Sequence, residues 1–380
     1  MPIAAQQAWI GPARQAYSTD VFSSEQEITA LCGRVSPLLK RCDCTITPDF
    51  FLASVAPRVW APRVITVKQQ GELAGLVYTK ERKVAGLPTG IFYGDATLNG
   101  IVAAEASERG AVFLAGIETL LKRKRTLGLR LLLPPAGFEM SALGPLLRSQ
   151  TVDYVCNAAT NHQTLALGRT YEEFLQRVGP RTRRNFRYYR RKFEVEGHNY
   201  VENIPLGEFR RAAERLSLDN VVGANREGMS RAFAIFSRVR QPILIGLRHK
   251  DGSWLALLGG WFEGARPVIF FQINSDKHHS RSSLCLVLRG YFFESLCRIG
   301  ARSVVFWAGV GQPLLRYCTP VPTTSVYIDK RQAAWRGLRG GIASAVRMLP
   351  REMAWRAEWI VPAHVREAAA IEESEETLDD

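Results

Sequence analysis

"LAGIETLLKRKRTLGLRLLLPPAG", residues 114–137, and "LVLRGYFFESLCRIGARSVVFWAG", residues 286–309, decide the fold when one is laid over the other. A constant shift of 172 pairs Gly128 with Gly300, Arg130 with Arg302, Ala136 with Ala308 and Gly137 with Gly309. Each stretch reads as an amphipathic helix stopped by glycine and followed at once by a short apolar strand. Upstream of each comes a strand, a turn and a second strand: "RVITVKQQGELAGLVYTKER" (63–82) and "PILIGLRHKDGSWLALLGGWF" (242–262). The turns fall at Gln70-Gly71 and Asp251-Gly252, and Asp-Gly between apolar runs is a hairpin signal. The order helix, hairpin, further strand, helix, strand is therefore present twice. It predicts a duplicated α/β architecture with mixed sheets.

Composition allows this. The chain has 380 residues, 46% apolar and 23% charged, enough for two compact units with sizeable cores. A formal charge of +14 suits an anionic partner without choosing among nucleotide, phosphorylated ligand, nucleic acid and lipid headgroup. The seven cysteines form no Cys-x-x-Cys, and the close pair Cys42 and Cys44 has no neighbouring His to complete a zinc site. They are expected to be reduced core thiols of a cytoplasmic protein, with no metal. Residues 1–15 lack the charged head and apolar run of a secretion signal.

Five segments follow. Residues 1–44 are a lead segment, 45–150 a first α/β half and 151–330 a second. A basic helical tail spans 331–366, and an acidic disordered tail 367–380. Between the repeated regions, Thr170 and Glu173 make a capping box for a short helix. "RTRRNFRYYRRKFEVEG" (181–197) then reads as a second helix, entered near Pro180 and closed at Gly197. On a helical wheel Phe186, Tyr189 and Phe193 share one stripe, while Arg183, Arg184, Arg187 and Arg191 share another. Arginines four apart repel, so the ridge loses a few tenths of a kcal/mol per pair, about 0.2–0.5, that an opposing anion would relieve. These four arginines are the candidate substrate- or anion-binding residues; a solvated polar face is the competing reading.

The arginine helix, some twenty residues after a strand, resembles the signature helix of the GNAT-type acetyltransferase group. More narrowly, it is similar to the FemAB-like and cellulose-biosynthesis-type branch, in which two GNAT-like folds share one chain. The resemblance spans roughly residues 45 to 330 and includes the duplicated order and the closing helix–Gly–strand at Gly300 to Trp307. It implies central strands that splay to admit an acyl donor, and acyl transfer to an amine. The donor in the group is acyl-CoA, or aminoacyl-tRNA in the peptidoglycan-bridge members.

Amide formation from a thioester needs a deprotonated amine, a polarised carbonyl and a stabilised thiolate, with no covalent intermediate. The donor's diphosphate needs free N–H groups at a helix N-terminus. The matching junction here is "QINSDKHHSRSSLCLVLRG" (272–290). A strand ends near Asn274, Arg281 follows, and Ser282 or Ser283 caps the next helix. The family has a glycine pair at this point; here no glycine occurs between residues 265 and 289. Asn274, Arg281, Ser282, Ser283 and Arg316 are the candidate donor-binding residues; Arg316 stands where many members of the branch carry a lysine. His278 and His279, with Asp276 and Gln272, are the candidate catalytic group, histidine suiting an amine-deprotonating base. The first copy offers Asp95 and little else, so it is expected to lack a donor site.

The leading expectation is an N-acyltransferase using acyl-CoA on an amine, such as an amino sugar or a saccharide precursor of the cell envelope. An aminoacyl-tRNA-dependent transferase is the second. The third is a degenerate, binding-only relative that grips an anionic polysaccharide or membrane surface, with Trp335, Trp355 and Trp359 set among arginines. No helix-turn-helix or zinc finger supports sequence-specific DNA binding.

Overall fold

The computed structural model describes residues 17–41, 47–95, 101–103, 108–134, 143, 152–218, 226–275, 283–307, 310–311 and 313–330. Among these, thirteen strands form one mixed sheet flanked by eight helices. The first half contributes β1 (Tyr17–Phe22), α1 (Glu25–Arg41), α2 (Pro48–Ser54), β2 (Trp60–Gln69), β3 (Glu72–Val84), β4 (Leu87–Asp95), β5 (Ile101–Ala103), α3 (Arg109–Lys122) and β6 (Gly128–Leu133). Then come β7 (Val152–Ala166), α4 (Tyr171–Arg177) and α5 (Pro180–Val195). The second half holds β8 (Asn199–Val201), α6 (Leu206–Leu218), α7 (Arg226–Phe236), β9 (Pro242–Arg248), β10 (Trp254–Glu263), β11 (Arg266–Asn274), α8 (Leu284–Arg298), β12 (Ser303–Phe306) and β13 (Cys318–Lys330).

The sheet runs β1-β2-β3-β4-β6-β13-β7-β12-β11-β10-β9-β8, with β5 off this path on β3. Read from the two edges inward, the halves repeat one another: an edge strand, a hairpin, a further antiparallel strand, then a parallel partner reached through a helix. The duplication inferred from the sequence is therefore present as topology. Both hairpin turns fall where expected. Gln70 and Gly71 take φ of 52° and 87°, and Gly252 takes 90°; only glycine adopts such values without strain, and Gln70 meets the cost of a two-residue turn.

The halves are stitched together by exchange. β7 follows β6 in the chain but pairs with β12, whereas β13 follows β12 and pairs with β6. The two strands pair antiparallel along Val152–Leu165 and Cys318–Lys330. Each half thus takes a strand from the other, and the sheet has no internal edge at the seam.

One glycine differs from the reading above. Gly300 takes φ +85° just past the end of α8, as a helix-ending glycine should. Gly128 does not end a helix: α3 stops at Lys122, and Gly128 opens β6. A Cβ there would lie 2.6 Å from Asp329 Oδ1 and from the Ile328 carbonyl, so close packing against β13 selects the glycine.

Three cores flank the sheet. One lies on α3 and the first half, one on α4, α5 and α8, and one runs across both halves between α1, α2, α6 and α7. In the second, Phe186 and Phe193 of α5 are buried and Tyr189 packs at the margin, which fixes the helix by its aromatic stripe. Each buried Phe contributes about 1.5–3 kcal/mol. The helix begins at Pro180, and its end is closed by Gly197 at φ +76°. Thr170 Oγ1 accepts from the Glu173 N–H, and the Glu173 carboxylate accepts from the Arg169 N–H.

Candidate functional site

The parallel pairs at the heart of the two halves differ. β4 and β6 keep register from Ile91–Gly128 to Asp95–Leu132, five residues on each strand. β11 and β12 match only at Val268–Val305 and Ile269–Phe306, and a last bond joins the Trp307 N–H to the Ile269 carbonyl at 2.9 Å. Beyond it β11 continues to Asn274, held by β10 alone among the described residues. The cause is local. The pairing of β10 with β11 slips between Gly259 and Gly260, leaving Phe270 as the extra residue of a bulge, and bulges bend a strand out of line. A Cβ at Gly260 would lie 2.0 Å from the Val268 carbonyl, and one at Gly259 would lie 2.5 Å from the Phe236 ring. The "GG" of β10 is thus what lets the strands part.

The β12-facing backbone groups of the β11 end lie in the middle of a sheet with no described strand to receive them. Buried backbone donors and acceptors need partners.

Gln272 and Asn274, two of the candidates, line this opening together: Gln272 Nε2 donates to Asn274 Oδ1 at 3.2 Å. The side-chain Oε1 of Gln272 accepts from Nε of Arg289 at 3.0 Å, and the Arg289 guanidinium lies 5.2 Å from the Phe306 ring centroid. Arg289 was missed by the sequence reading. It is 7% exposed, and no ion pair to a carboxylate holds it among the described residues. A buried guanidinium costs several kcal/mol to desolvate unless charge or dipoles compensate. Its signal was legible as one arginine inside the apolar run "LCLVLRGYFF". Cys318, at the start of β13, feels the same group: burial pushes its thiol up to about 11, with Arg289 acting the other way.

Ser283 precedes α8 as expected but does not cap it. Its backbone is left-handed (φ 45°, ψ 46°), and its hydroxyl makes no cap hydrogen bond. The left-handed geometry that glycine would favour is therefore held here by serine, at a cost of about 1–2 kcal/mol, while the first-turn N–H groups of α8 lack a side-chain cap. Asp276, His278, His279, Arg281 and Ser282 lie outside the described residues. Arg316 meets the first turn of α5: its Nη2 donates to Thr182 Oγ1 at 3.0 Å, beside the Tyr317 hydroxyl that accepts from the Gly179 N–H at 2.8 Å. It anchors the start of the arginine helix.

On that helix Arg184, Arg187 and Arg191 are exposed and Arg183 is half-buried. Arg187 meets Glu172 of α4 at 2.5 Å, an acid that helix periodicity alone did not supply. The arginine most engaged is Arg190, which bonds Glu294 at 2.7 Å and Glu194 at 3.0 Å and lies 4.2 Å from the Tyr291 ring centroid. It clamps α5 to α8.

The opposite face of the opening carries a second group. His162 on β7 is 3% exposed, and its ring lies 5.3 Å from that of Trp307, the residue where β11 and β12 part. Trp307 in turn lies 5.3 Å from Trp261. From the first half, the Lys80 ammonium lies 4.7 Å from the Trp60 ring centroid and 4.6 Å from that of Tyr93. Burial pulls Lys80 down to about 8; Arg231 and Arg82 push the same way, and Asp95 opposes them. Arg231 also lines a cavity of about 680 Å³ between α2 and α7, together with Arg58, Arg238 and an apolar wall that includes Leu52 and Val55. The cavity is thus lined by three arginines and Glu25 over an apolar wall, with residues from both halves.

No protein-family model matches the sequence, and no curated protein matches it. Solved structures do share its fold. FemX is similar at 11% identity and TM-score 0.50, over 74% of this chain and 94% of that one. L-PGS from Bacillus licheniformis is similar at 11% identity and TM-score 0.52, over 80% and 92%. The C-terminal DUF2156 domain of a putative lysylphosphatidylglycerol synthetase from Agrobacterium fabrum is similar at 12% identity and TM-score 0.51, over 84% and 97%. At such identity the likeness concerns fold: the chain is a mixed α/β protein with a GNAT-like fold, and its own topology shows that fold twice.

Proposed function

We propose that this chain is an N-acyltransferase that moves an acyl group from acyl-CoA to an amine, with one donor cleft, in the second half. The observation that supports the reading is the early parting of β11 from β12 beside Gln272, Asn274 and Arg289. In this reading the free edge of β11 receives the donor's pantetheine amides, and the uncapped start of α8 faces its diphosphate. The ridge of α5 stays outside the cleft. An amino sugar or saccharide precursor is an acceptor of suitable chemistry.

The exposed arginines of α5 favour a second donor, aminoacyl-tRNA, whose phosphates would meet them. Calorimetric titration separates the two. Coenzyme A, acetyl-CoA and longer acyl-CoAs are expected to release heat and raise Tm, with little dependence on the α5 arginines. No heat and no thermal shift with any of them would remove the acyl-CoA reading. Transfer RNA binding that weakens steeply between 50 and 200 mM salt, on the order of 10³-fold for six phosphate contacts, would then support the second donor.

A further inference from the structure

We infer that His162 accepts the proton from the attacking amine, on the face of the sheet opposite α8. The inference rests on the acyltransferase reading and names a residue within it. Three observations place it. Gln163 pairs with Phe306, the last matched residue of β12, so His162 stands one step along β7, where the cleft begins. Phe306 packs in the core of α8, while Trp307 and Trp261, which accompany His162, pack in the core shared by α6 and α7. A donor entering beside α8 and passing between the strands would present its thioester toward the His162 side. Finally, among the described residues no side chain bonds either ring nitrogen of His162; the Trp307 backbone alone lies within reach of the ring, and it can serve one nitrogen at most. A buried ring nitrogen left without a partner is costly, and a ligand atom would satisfy it.

The charged groups facing the ring come from three places. Asp95 at the end of β4 and Glu263 at the end of β10 favour the protonated form, and Arg266 at the start of β11 opposes it. Burial outweighs them and keeps the imidazole neutral toward neutrality, ready to take a proton.

The lone pair of the amine nitrogen forms a bond to the thioester carbonyl carbon, and the nitrogen's surplus proton passes to a free ring nitrogen of His162. The C–S bond then breaks, its electron pair leaving on sulfur. The thiolate takes up a proton, His162 returns its own to solvent, and the products are an amide and coenzyme A.

The test uses the full chain, with His162→Phe and His162→Gln beside the wild type. Phenylalanine fills the site without orphaned nitrogens, so it is expected to hold or raise Tm, by about 2 °C. Coenzyme A release from acetyl-CoA, with glucosamine as probe amine, should fall about 100-fold or more in both variants while acetyl-CoA heat stays within twofold. The His162 ring resonance, identified by its loss in His162→Gln, should shift when acetyl-CoA is added. Heat with a silent His162 resonance overturns the inference alone, as does full turnover by His162→Phe. Absence of acetyl-CoA heat overturns the donor reading and the inference with it. Heat and a resonance shift without turnover of glucosamine support the placement, because contact with the donor is then shown independently of the acceptor.

Discussion

The two parallel strand pairs have the same place in the repeat and opposite fates. β4 and β6 are zipped over five residues, and β11 and β12 part after two. The zipped pair is held by a glycine that has no freedom to be anything else. Gly90 takes φ +77°, its N–H donates to buried Glu81 at 2.8 Å, and its carbonyl accepts from the Leu127 N–H at 2.8 Å. The parted pair has its glycines one strand further out, in β10, where they make room for a bulge. The lesson is that glycine can either close a strand pair or open it. The outcome depends on whether its missing Cβ admits the loop that feeds the pair or a kink in the strand beside it.

The largest expected effect comes from attacking the closed pair. A Cβ at position 90 would lie 2.0 Å from the Arg125 carbonyl, in a left-handed backbone. Gly90→Ala should therefore cost about 3–5 kcal/mol in urea unfolding, well above an ordinary surface change. Because β13 and β7 interlock the halves, the loss should appear as one cooperative transition; two separate transitions would break the picture of exchanged strands.

The open pair should respond the other way. Arg289→Met replaces a buried charge by an apolar chain of similar length, so stability should change by less than about 1 kcal/mol. Acyl-CoA binding measured by calorimetry should weaken about tenfold or more, since Gln272 loses the group that orients it. A large stability loss with unchanged binding would make Arg289 a structural residue.

The smallest effect belongs to the arginine ridge. Arg187→Ala removes a pair in which both partners are more than half exposed, and should cost about 0.2–1 kcal/mol. A drop in acyl-CoA affinity in this variant would place the ridge nearer the cleft than its exposure implies.

Much of the fold was legible. The turn dipeptides, the capping box and the aromatic stripe of α5 are local signals, and each lies where its chemistry puts it. Gly128 misled because a packing glycine and a helix-ending glycine look alike in one dimension. The site was legible only in part. Gln272 and Asn274 alternate toward one face of a strand that could be read. Arg289 was visible as a misfit in an apolar helix. His162 carried no signal, since what singles it out is the pairing of β7 with a strand some 140 residues away. The arginine run was the loudest feature of the chain, yet most of its charge faces solvent or Glu172, and only Arg190 is committed to packing.

What the sequence determined by itself is the repeated order of elements, because hydrophobic period, caps and turns act over a few residues. The tertiary structure alone decided which strand pair opens, which half receives which strand, and which polar groups are left buried without partners. Those depend on contacts between residues far apart in the chain, where a bulge in one strand sets the course of its neighbour.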